Sequence, residues 1–357
     1  MQAEWQQALA TPQDETEDEM ASEFLGKVLT GESFGLFDGA MGTMLVRAGL
    51  GAGELPDLLC LEKPDVVTGV HRGYVEAGSQ IVTTNTFGAN SRKLAGHATV
   101  DEVFEAAVRC ARAAQPQCVA ADMGPLGALM APMGDLTFED AFDLFAEQAR
   151  AAEAAGADAV IIETMADTVE IAAAVLAARM SCSLPVFATM TFTETGRTFL
   201  GSAPESAALV LIALGVDALG VNCSAGPDDL RPVVMEMLQV APCPVIVQAN
   251  AGLPQVVGGE TVYSLQPSEY AASVCTMVEA GATIIGGCCG TDPDYIQALS
   301  EMLAQKQPVQ RCVKGTALRN RAQEVAEAGG RDGDLLSIIL GADDLPILKE
   351  ELAEEYE

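Results

Sequence analysis

Four times along this chain a stretch with helical spacing stops at a glycine, and a short apolar run starts two or three residues later. The junctions are Ala77-Gly78, Ala155-Gly156, Leu214-Gly215 and Ala280-Gly281. Glycine enters the left-handed backbone region at little cost, which is what a helix stop needs. Eight β-rich runs keep this rhythm, at residues 34–38, 80–86, 119–123, 159–164, 186–192, 218–223, 244–250 and 283–289. Helical segments fit between them, for example 138–155, 168–181, 204–214 and 267–280. Strands alternating with helices argue for βα units and a parallel sheet. Eight such units within about 280 residues are the pattern of a (β/α)8 TIM barrel, an α/β fold. A doubly wound open sheet is the competing arrangement, but its Gly-x-Gly-x-x-Gly phosphate turn is absent from the chain.

The expected strand ends support the barrel. In chain order they carry Asp38, Thr84 with Asn85, Asp122, Glu163, Thr191, Cys223, Asn250, and Cys288 with Cys289. A barrel gathers all eight ends on one rim, where active sites of this fold are built. An open sheet would not bring them to one point.

With 357 residues, 49% of them hydrophobic, the chain suits one large domain with appendages. The expected division is an acidic extension at 1–30, a barrel at 31–310, and an acidic, partly helical extension at 311–357. The first extension holds a short helix at 20–29; the last holds helices at 317–328 and 334–340 and an acidic stretch at 347–357. That tail either packs on the barrel or docks a partner. The net charge of -32 argues against nucleic acid and anionic membrane surfaces as partners. It serves solubility or meets a basic face on another protein. No apolar run reaches the roughly 18 residues a membrane helix needs, and the start lacks a secretory signal. The expected location is the cytoplasm, where the ten cysteines are expected to be reduced.

Three of those cysteines stand apart. Cys223, Cys288 and Cys289 coincide with polar, glycine-rich strand ends, whereas most of the others lie in apolar segments. Adjacent residues of a straight strand point to opposite faces, so Cys288 and Cys289 reach one ion only if the chain bends. The run Gly286-Gly287-Cys288-Cys289-Gly290-Thr291 supplies the glycines for that bend. Alone, the pair reads equally well as two cysteines buried in a turn; Cys223 at another strand end tips the reading to a metal. Three thiolates favour zinc and are too few for an iron–sulfur cluster. Only His71 and His97 are available as histidines, and His71 sits in a helical stretch as a surface or core residue. Three thiolates around one dication make a weak electrophile with room for a fourth ligand. Such a centre suits a thiol substrate that it deprotonates for attack on an activated carbon. Asn250 either fills that fourth position when substrate is absent or hydrogen-bonds a rim loop.

These motifs resemble the homocysteine S-methyltransferase family, and within it the homocysteine-binding module of cobalamin-dependent methionine synthases. The matching stretches are Phe37-Asp38-Gly39-Ala40-Met41-Gly42-Thr43-Met44, the segment 81–90, Val221-Asn222-Cys223 and the Gly-Gly-Cys-Cys-Gly-Thr turn, within residues 33–305. The resemblance implies a barrel whose zinc is held by Cys223, Cys288 and Cys289, with homocysteine as methyl acceptor and methionine as product. It also implies that Asp38, Gly39, Thr83, Thr84 and Glu163 bind the amino-acid end of the acceptor. A carboxylate closing an apolar strand, as Glu163 does, suits an ammonium. The folate, cobalamin and reactivation modules of those synthases are not encoded in these residues. The expected methyl donor is therefore methylcobalamin, a corrinoid carried on a separate protein. A betaine or sulfonium donor, another thiol acceptor, and a non-catalytic zinc- or thiol-binding subunit are the alternatives.

Overall fold

The computed structural model describes residues 12–341, apart from 52, 254, 258, 259, 312 and 314. Cys312 and the acidic stretch at 347–357 lie outside the described residues. The architecture is the expected (β/α)8 barrel. Helix α1 (Pro12–Leu29) leads into strand β1 (Gly35–Leu36), and α2 (Met41–Arg47), α3 (Leu59–Glu62) and α4 (Pro64–Glu76) fill the first crossover. Then β2 (Ile81–Thr83), α5 (Val100–Arg112), β3 (Cys118–Met123), α6 (Phe138–Ala154), β4 (Ala159–Met165) and α7 (Thr168–Ser181) alternate. The alternation continues through β5 (Val186–Met190), α8 (Pro204–Ala213), β6 (Ala218–Cys223), α9 (Pro227–Val240) and β7 (Val245–Ala249). A hairpin, β8 (Gln255–Val257) with β9 (Glu260–Val262), interrupts it before α10 (Pro267–Ala280), β10 (Ile284–Gly287) and α11 (Pro293–Leu303). Two helices follow, α12 (Gly315–Ala328) and α13 (Gly330–Gly341).

The eight long-crossover strands are parallel and run in the order β1-β10-β7-β6-β5-β4-β3-β2. A parallel bridge from Phe37 to Ile81 joins the two ends and closes the ring. All four glycines expected to stop helices have positive φ: Gly78 (106°), Gly156 (82°), Gly215 (75°) and Gly281 (114°). No helix among the described residues is long and apolar enough to cross a membrane.

Side-chain parity organises the interior. Phe37, Ile81, Cys118, Ala120, Ala159, Ile161, Phe187, Ala218, Ile246 and Ile284 form one buried cluster inside the ring. Phe37 and Phe187 meet edge-on at 6.3 Å, with an interplanar angle of 77°. The small residues of β3, β4 and β6 leave room for these two rings, as close packing requires. Leu25 and Val28 of α1 belong to the same cluster, so this helix plugs the barrel floor. It begins at Pro12, earlier than the expected 20, because proline is well suited to the first helical turn and acidic residues follow it there.

Two residues further along most strands, the same inward parity becomes polar. Thr83, Asp122, Glu163, Thr189, Asn222 and Gln248 follow Ile81, Ala120, Ile161, Phe187, Gly220 and Ile246. The barrel therefore has an apolar lower half and a polar mouth. Several strands stop short of their expected ends; β2 ends at Thr83 and β10 at Gly287. The residues beyond leave the ladder to make turns at the mouth.

The segment after the barrel is fastened at two levels. The Arg311 guanidinium donates to four carbonyls, those of Gly281 (3.1 Å), Leu238 (3.1 Å), Ala241 (2.7 Å) and Cys243 (2.7 Å), and so satisfies helix-end acceptors. Further on, α12 and α13 pack on α8, with Leu318, Ala322, Leu336 and Ile339 buried. Arg321 makes a two-pronged pair with Glu205 (2.7 and 2.8 Å). Arg331 pairs with Asp167, the N-cap of α7. Asp332 accepts from Thr168 (2.9 Å) and Ser202 (2.8 Å).

Candidate metal centre

Cys223, Cys288 and Cys289 come together at the mouth, with all three sulfurs within 4.8 Å of one another. Local backbone bends bring this about. Cys223 and Ser224 have φ of 57° and 66°, a region that residues with a Cβ enter at a cost. The bend is held by the Ala225 N–H donating to the Cys223 carbonyl (2.8 Å) and the Phe192 N–H donating to Ser224 Oγ (3.0 Å).

The Cys288–Cys289 turn is fixed from several sides. The Cys288 N–H donates to the Ala249 carbonyl (2.8 Å), and the Ala251 N–H to the Cys289 carbonyl (2.9 Å). The buried Thr291 hydroxyl donates back to the Cys288 carbonyl (2.7 Å) and accepts from the Ala40 N–H (3.2 Å). The Gly290 N–H donates to Thr43 Oγ1 (3.2 Å). Glycine is required on both sides of the pair. A Cβ on Gly287 would lie 2.4 Å from Thr291 Oγ1, and one on Gly290, where φ is 82°, would lie 2.3 Å from the Tyr263 ring.

The donor set fits zinc. Zinc–sulfur bonds of about 2.3 Å place two tetrahedral ligands about 3.8 Å apart, and Cys223 Sγ is 3.8 Å from Cys289 Sγ. Hydrogen bonds from the other two thiols pull the Cys223 thiol well below its usual range. Cys288 is pushed up by its role as donor to Cys223, and Cys289 likewise. Asn250 lies beside Cys223 and favours its thiolate. The Asn250 amide oxygen is buried with no hydrogen-bond partner, so an acceptor stands free next to the three sulfurs.

Next to the thiols lies a set of carboxyl groups, with Asp38 and Asp122 buried and Glu163 half-buried. Asp38 accepts from the Thr83 N–H (2.9 Å) and hydroxyl (2.8 Å). Burial nevertheless outweighs those bonds and raises its pKa to about 7. Glu163 is raised to about 7, by burial first and by the Cys223 thiolate second. Asp122 is pushed well above the usual carboxylate range by burial and by the charge of the neighbouring Glu163. Its Oδ1 has no partner, nor has the buried Gln248 Oε1. A mouth with unpartnered acceptors and three crowded carboxyl groups is suited to a cation bearing several N–H donors.

Each expected acceptor residue has a definite place. Asp38, Thr83 and Glu163 lie at the mouth. Gly39 lies where a Cβ would come within 2.8 Å of Thr291 Oγ1 and 2.9 Å of the Tyr74 ring. The Thr84 hydroxyl is engaged within the protein, accepting from the Asp122 N–H (3.0 Å) and bonding Thr86 Oγ1 (2.6 Å). His71 is a fully buried helix residue.

Four residues were missed from the sequence: Thr189, Asn222, Gln248 and Tyr263. Asn222 is the most connected. Its amide nitrogen donates to Glu163 Oε2 (2.5 Å) and Thr164 Oγ1 (2.7 Å) and lies 4.0 Å from Cys288 Sγ. Its oxygen accepts from the Thr164 N–H (2.8 Å) and the Thr189 hydroxyl (2.8 Å). Counting in twos from the apolar inward residues would have found the first three of the four. Tyr263, whose ring covers Gly290 and whose hydroxyl faces Cys289, follows a loop hairpin and has no such signal.

A closed parallel barrel carrying three convergent thiols beside a carboxylate-lined mouth defines a class of α/β barrels with a rim able to hold a metal ion. Residues 35–303 match the family model described as homocysteine S-methyltransferase. The chain belongs to the homocysteine S-methyltransferase family. The methionine synthase of Mycobacterium leprae (strain TN) is 34% identical over 305 residues, covering 79% of this chain and 25% of that protein. That of Mycobacterium tuberculosis (strain ATCC 25618 / H37Rv) is 33% identical over 290 residues, covering 75% and 24%. The chain thus spans about a quarter of the length of these curated relatives. Among solved structures, the metallated form of the homocysteine methyltransferase MmuM from Escherichia coli superposes with a TM-score of 0.66. It is 22% identical and covers 79% of this chain and 99% of that one, a likeness of fold.

Proposed function

We propose that this chain methylates the thiol of homocysteine to give methionine, with zinc held by Cys223, Cys288 and Cys289 and a methylcorrinoid on a separate protein as donor. The observation that carries the reading is the convergence of three thiols beside three carboxyl groups, two of them buried and one half-buried, which suits an acceptor with a thiol at one end and an ammonium at the other. Zinc bound there would keep the acceptor thiol ionised at neutral pH while leaving its sulfur electron-rich.

The chain's own residues do the rest. Asp38, Asp122 and Glu163 receive the ammonium, and its charge offsets the repulsion and desolvation that raise their pKa values. Thr83 orients Asp38 through two hydrogen bonds, and the Thr84 hydroxyl holds the Asp122 backbone by accepting its N–H. Gly39 lets the β1 loop pack against Thr291 and Tyr74, which keeps it at the rim beside Asp38. In the absence of acceptor, the unpartnered Asn250 oxygen would serve as the fourth ligand beside the three sulfurs. The relatives at 33–34% identity support a donor of the methionine synthase kind.

The test is methionine formation from homocysteine with methylcobalamin, with betaine and a methylsulfonium compound as parallel donors, alongside metal analysis. Turnover with methylcobalamin and about one zinc per chain are expected. Undiminished turnover in Cys288→Ala would sink the reading. Turnover only with betaine or the sulfonium would replace the corrinoid donor.

A further inference from the structure

We infer that Asn222 is the positioning residue that fixes the spacing between the thiol site and Glu163, and so makes the protein select an amino-acid thiol of one chain length. This rests on the reading that Glu163 receives the acceptor ammonium.

The amide is placed where the two halves of the mouth meet. One nitrogen, Asn222 Nδ2, donates to Glu163 Oε2 at 2.5 Å and stands 4.0 Å from Cys288 Sγ. Asn222 is itself fully buried and precedes Cys223 in the chain. It therefore touches the carboxylate, approaches one sulfur, and is covalently joined to the residue bearing another. Its orientation is determined by its partners. The oxygen takes two donors, the Thr164 N–H and the Thr189 hydroxyl. A flipped amide would set its oxygen against Glu163 and lose both of those bonds.

The same amide shapes the backbone that carries Glu163. Strand β4 shifts register against β5 between Ile162 and Met165, and Thr164 has φ of 61°. Such a bulge re-aims side chains at strand ends. Asn222 bonds both the N–H and the hydroxyl of Thr164, so it pins the bulge from the neighbouring mouth position. Pairing between strands does not supply this link, because β5 lies between β4 and β6 in the ring. Without the amide, Glu163 loses the hydrogen bond that orients its carboxylate, and its distance from the sulfurs is no longer set.

Discrimination by one methylene is worth about 10- to 200-fold when a site holds both ends of a ligand. The experiment measures calorimetric affinities of zinc-loaded protein for L-homocysteine, L-cysteine and 4-mercaptobutyrate. Cysteine is one methylene shorter, and mercaptobutyrate lacks the amino group. The proteins are the wild type, Asn222→Ala, Thr189→Val and Glu163→Gln, each with its zinc content determined. Thr189→Val removes one anchor of the Asn222 oxygen and alters neither thiols nor carboxylates, so it serves where Asn222→Ala fails to fold. Expected for Asn222→Ala is retained zinc, unchanged mercaptobutyrate affinity, and loss of about 10-fold or more of the homocysteine preference over both analogues. Thr189→Val should shift the same ratios less. Unchanged ratios in Asn222→Ala or, if it fails to fold, in Thr189→Val, with a clear loss in Glu163→Gln, would overturn the role of Asn222 and leave Glu163 standing. Zinc loss in Asn222→Ala with unchanged ratios in Thr189→Val would make the residue a support of the metal site alone. Equal affinity of the wild type for homocysteine and mercaptobutyrate would refute the ammonium reading itself, and this inference with it.

Discussion

Replacing Gly287 with alanine tests how the cysteine turn is held. The new Cβ would lie 2.4 Å from Thr291 Oγ1, 2.8 Å from its Cβ and 2.9 Å from its Cγ2. Thr291 is fully buried and cannot swing into solvent. It must move, and its two hydrogen bonds, to the Cys288 carbonyl and from the Ala40 N–H, break. Each is worth about 1 kcal/mol, and the overpacking adds about 2 kcal/mol, so Gly287→Ala should cost about 4 kcal/mol. Thr291→Ala loses the same two bonds without a clash and should cost about 2 kcal/mol. In the double variant those bonds are lost once, and only the Cβ contact remains. Its cost should be about 3 kcal/mol, which leaves about 3 kcal/mol of coupling in a double-mutant cycle. The assay is urea unfolding, with chelator-competition measurement of zinc retention, since the displaced turn carries two of the three thiols. Single-variant costs that add to within about 0.5 kcal/mol, the range of independent sites, would refute the steric reasoning.

His71 should make the protein acid-labile. It is fully buried, both ring nitrogens lack partners, and burial lowers its pKa to about 4. The unfolded chain binds the proton near pH 6.5 and the folded one only near pH 4, so stability is lost as pH falls between those values. His71→Leu should remove about 2 kcal/mol of that loss, read from urea midpoints at pH 7 and pH 4.5. Arg331→Ala leaves Asp167 without its cation in a partly buried site and should cost about 1–2 kcal/mol; limited proteolysis should then cut first within 315–341. Cys223→Ser should lower zinc affinity by more than about 100-fold in chelator competition, because a soft thiolate becomes a neutral hydroxyl. Zinc bound as tightly as by the wild type would remove Cys223 from the centre.

Much of the fold could be read because it is written locally. The glycine stops at 78, 156, 215 and 281 depend on backbone freedom alone, and all four adopt the expected φ. The thiol site was legible because cysteine at a glycine-rich strand end is chemically rare, so three of them needed a common explanation. Asn222, Thr189 and Gln248 carry no such mark, because each stands inside its β-rich run and not at the end of it. Which residue of a strand faces inward is set by parity against its neighbours, and the β4 bulge shows that parity can change within one strand. The short β8–β9 hairpin lies outside the βα rhythm, which passes from β7 to the next helix, and so gave no periodic signal.

The sequence by itself determined the number and type of the βα units and the thiols that could meet, because periodicity, helix stops and side-chain chemistry act over a few residues. Only the tertiary structure decided that α1 fills the barrel floor and that α12 and α13 strap onto α8. It alone joined Glu163 to the thiols through one asparagine, a link between residues 59 positions apart. Such contacts depend on ring closure and on how side chains fill the space between strands, and neither is encoded in any single stretch of the chain.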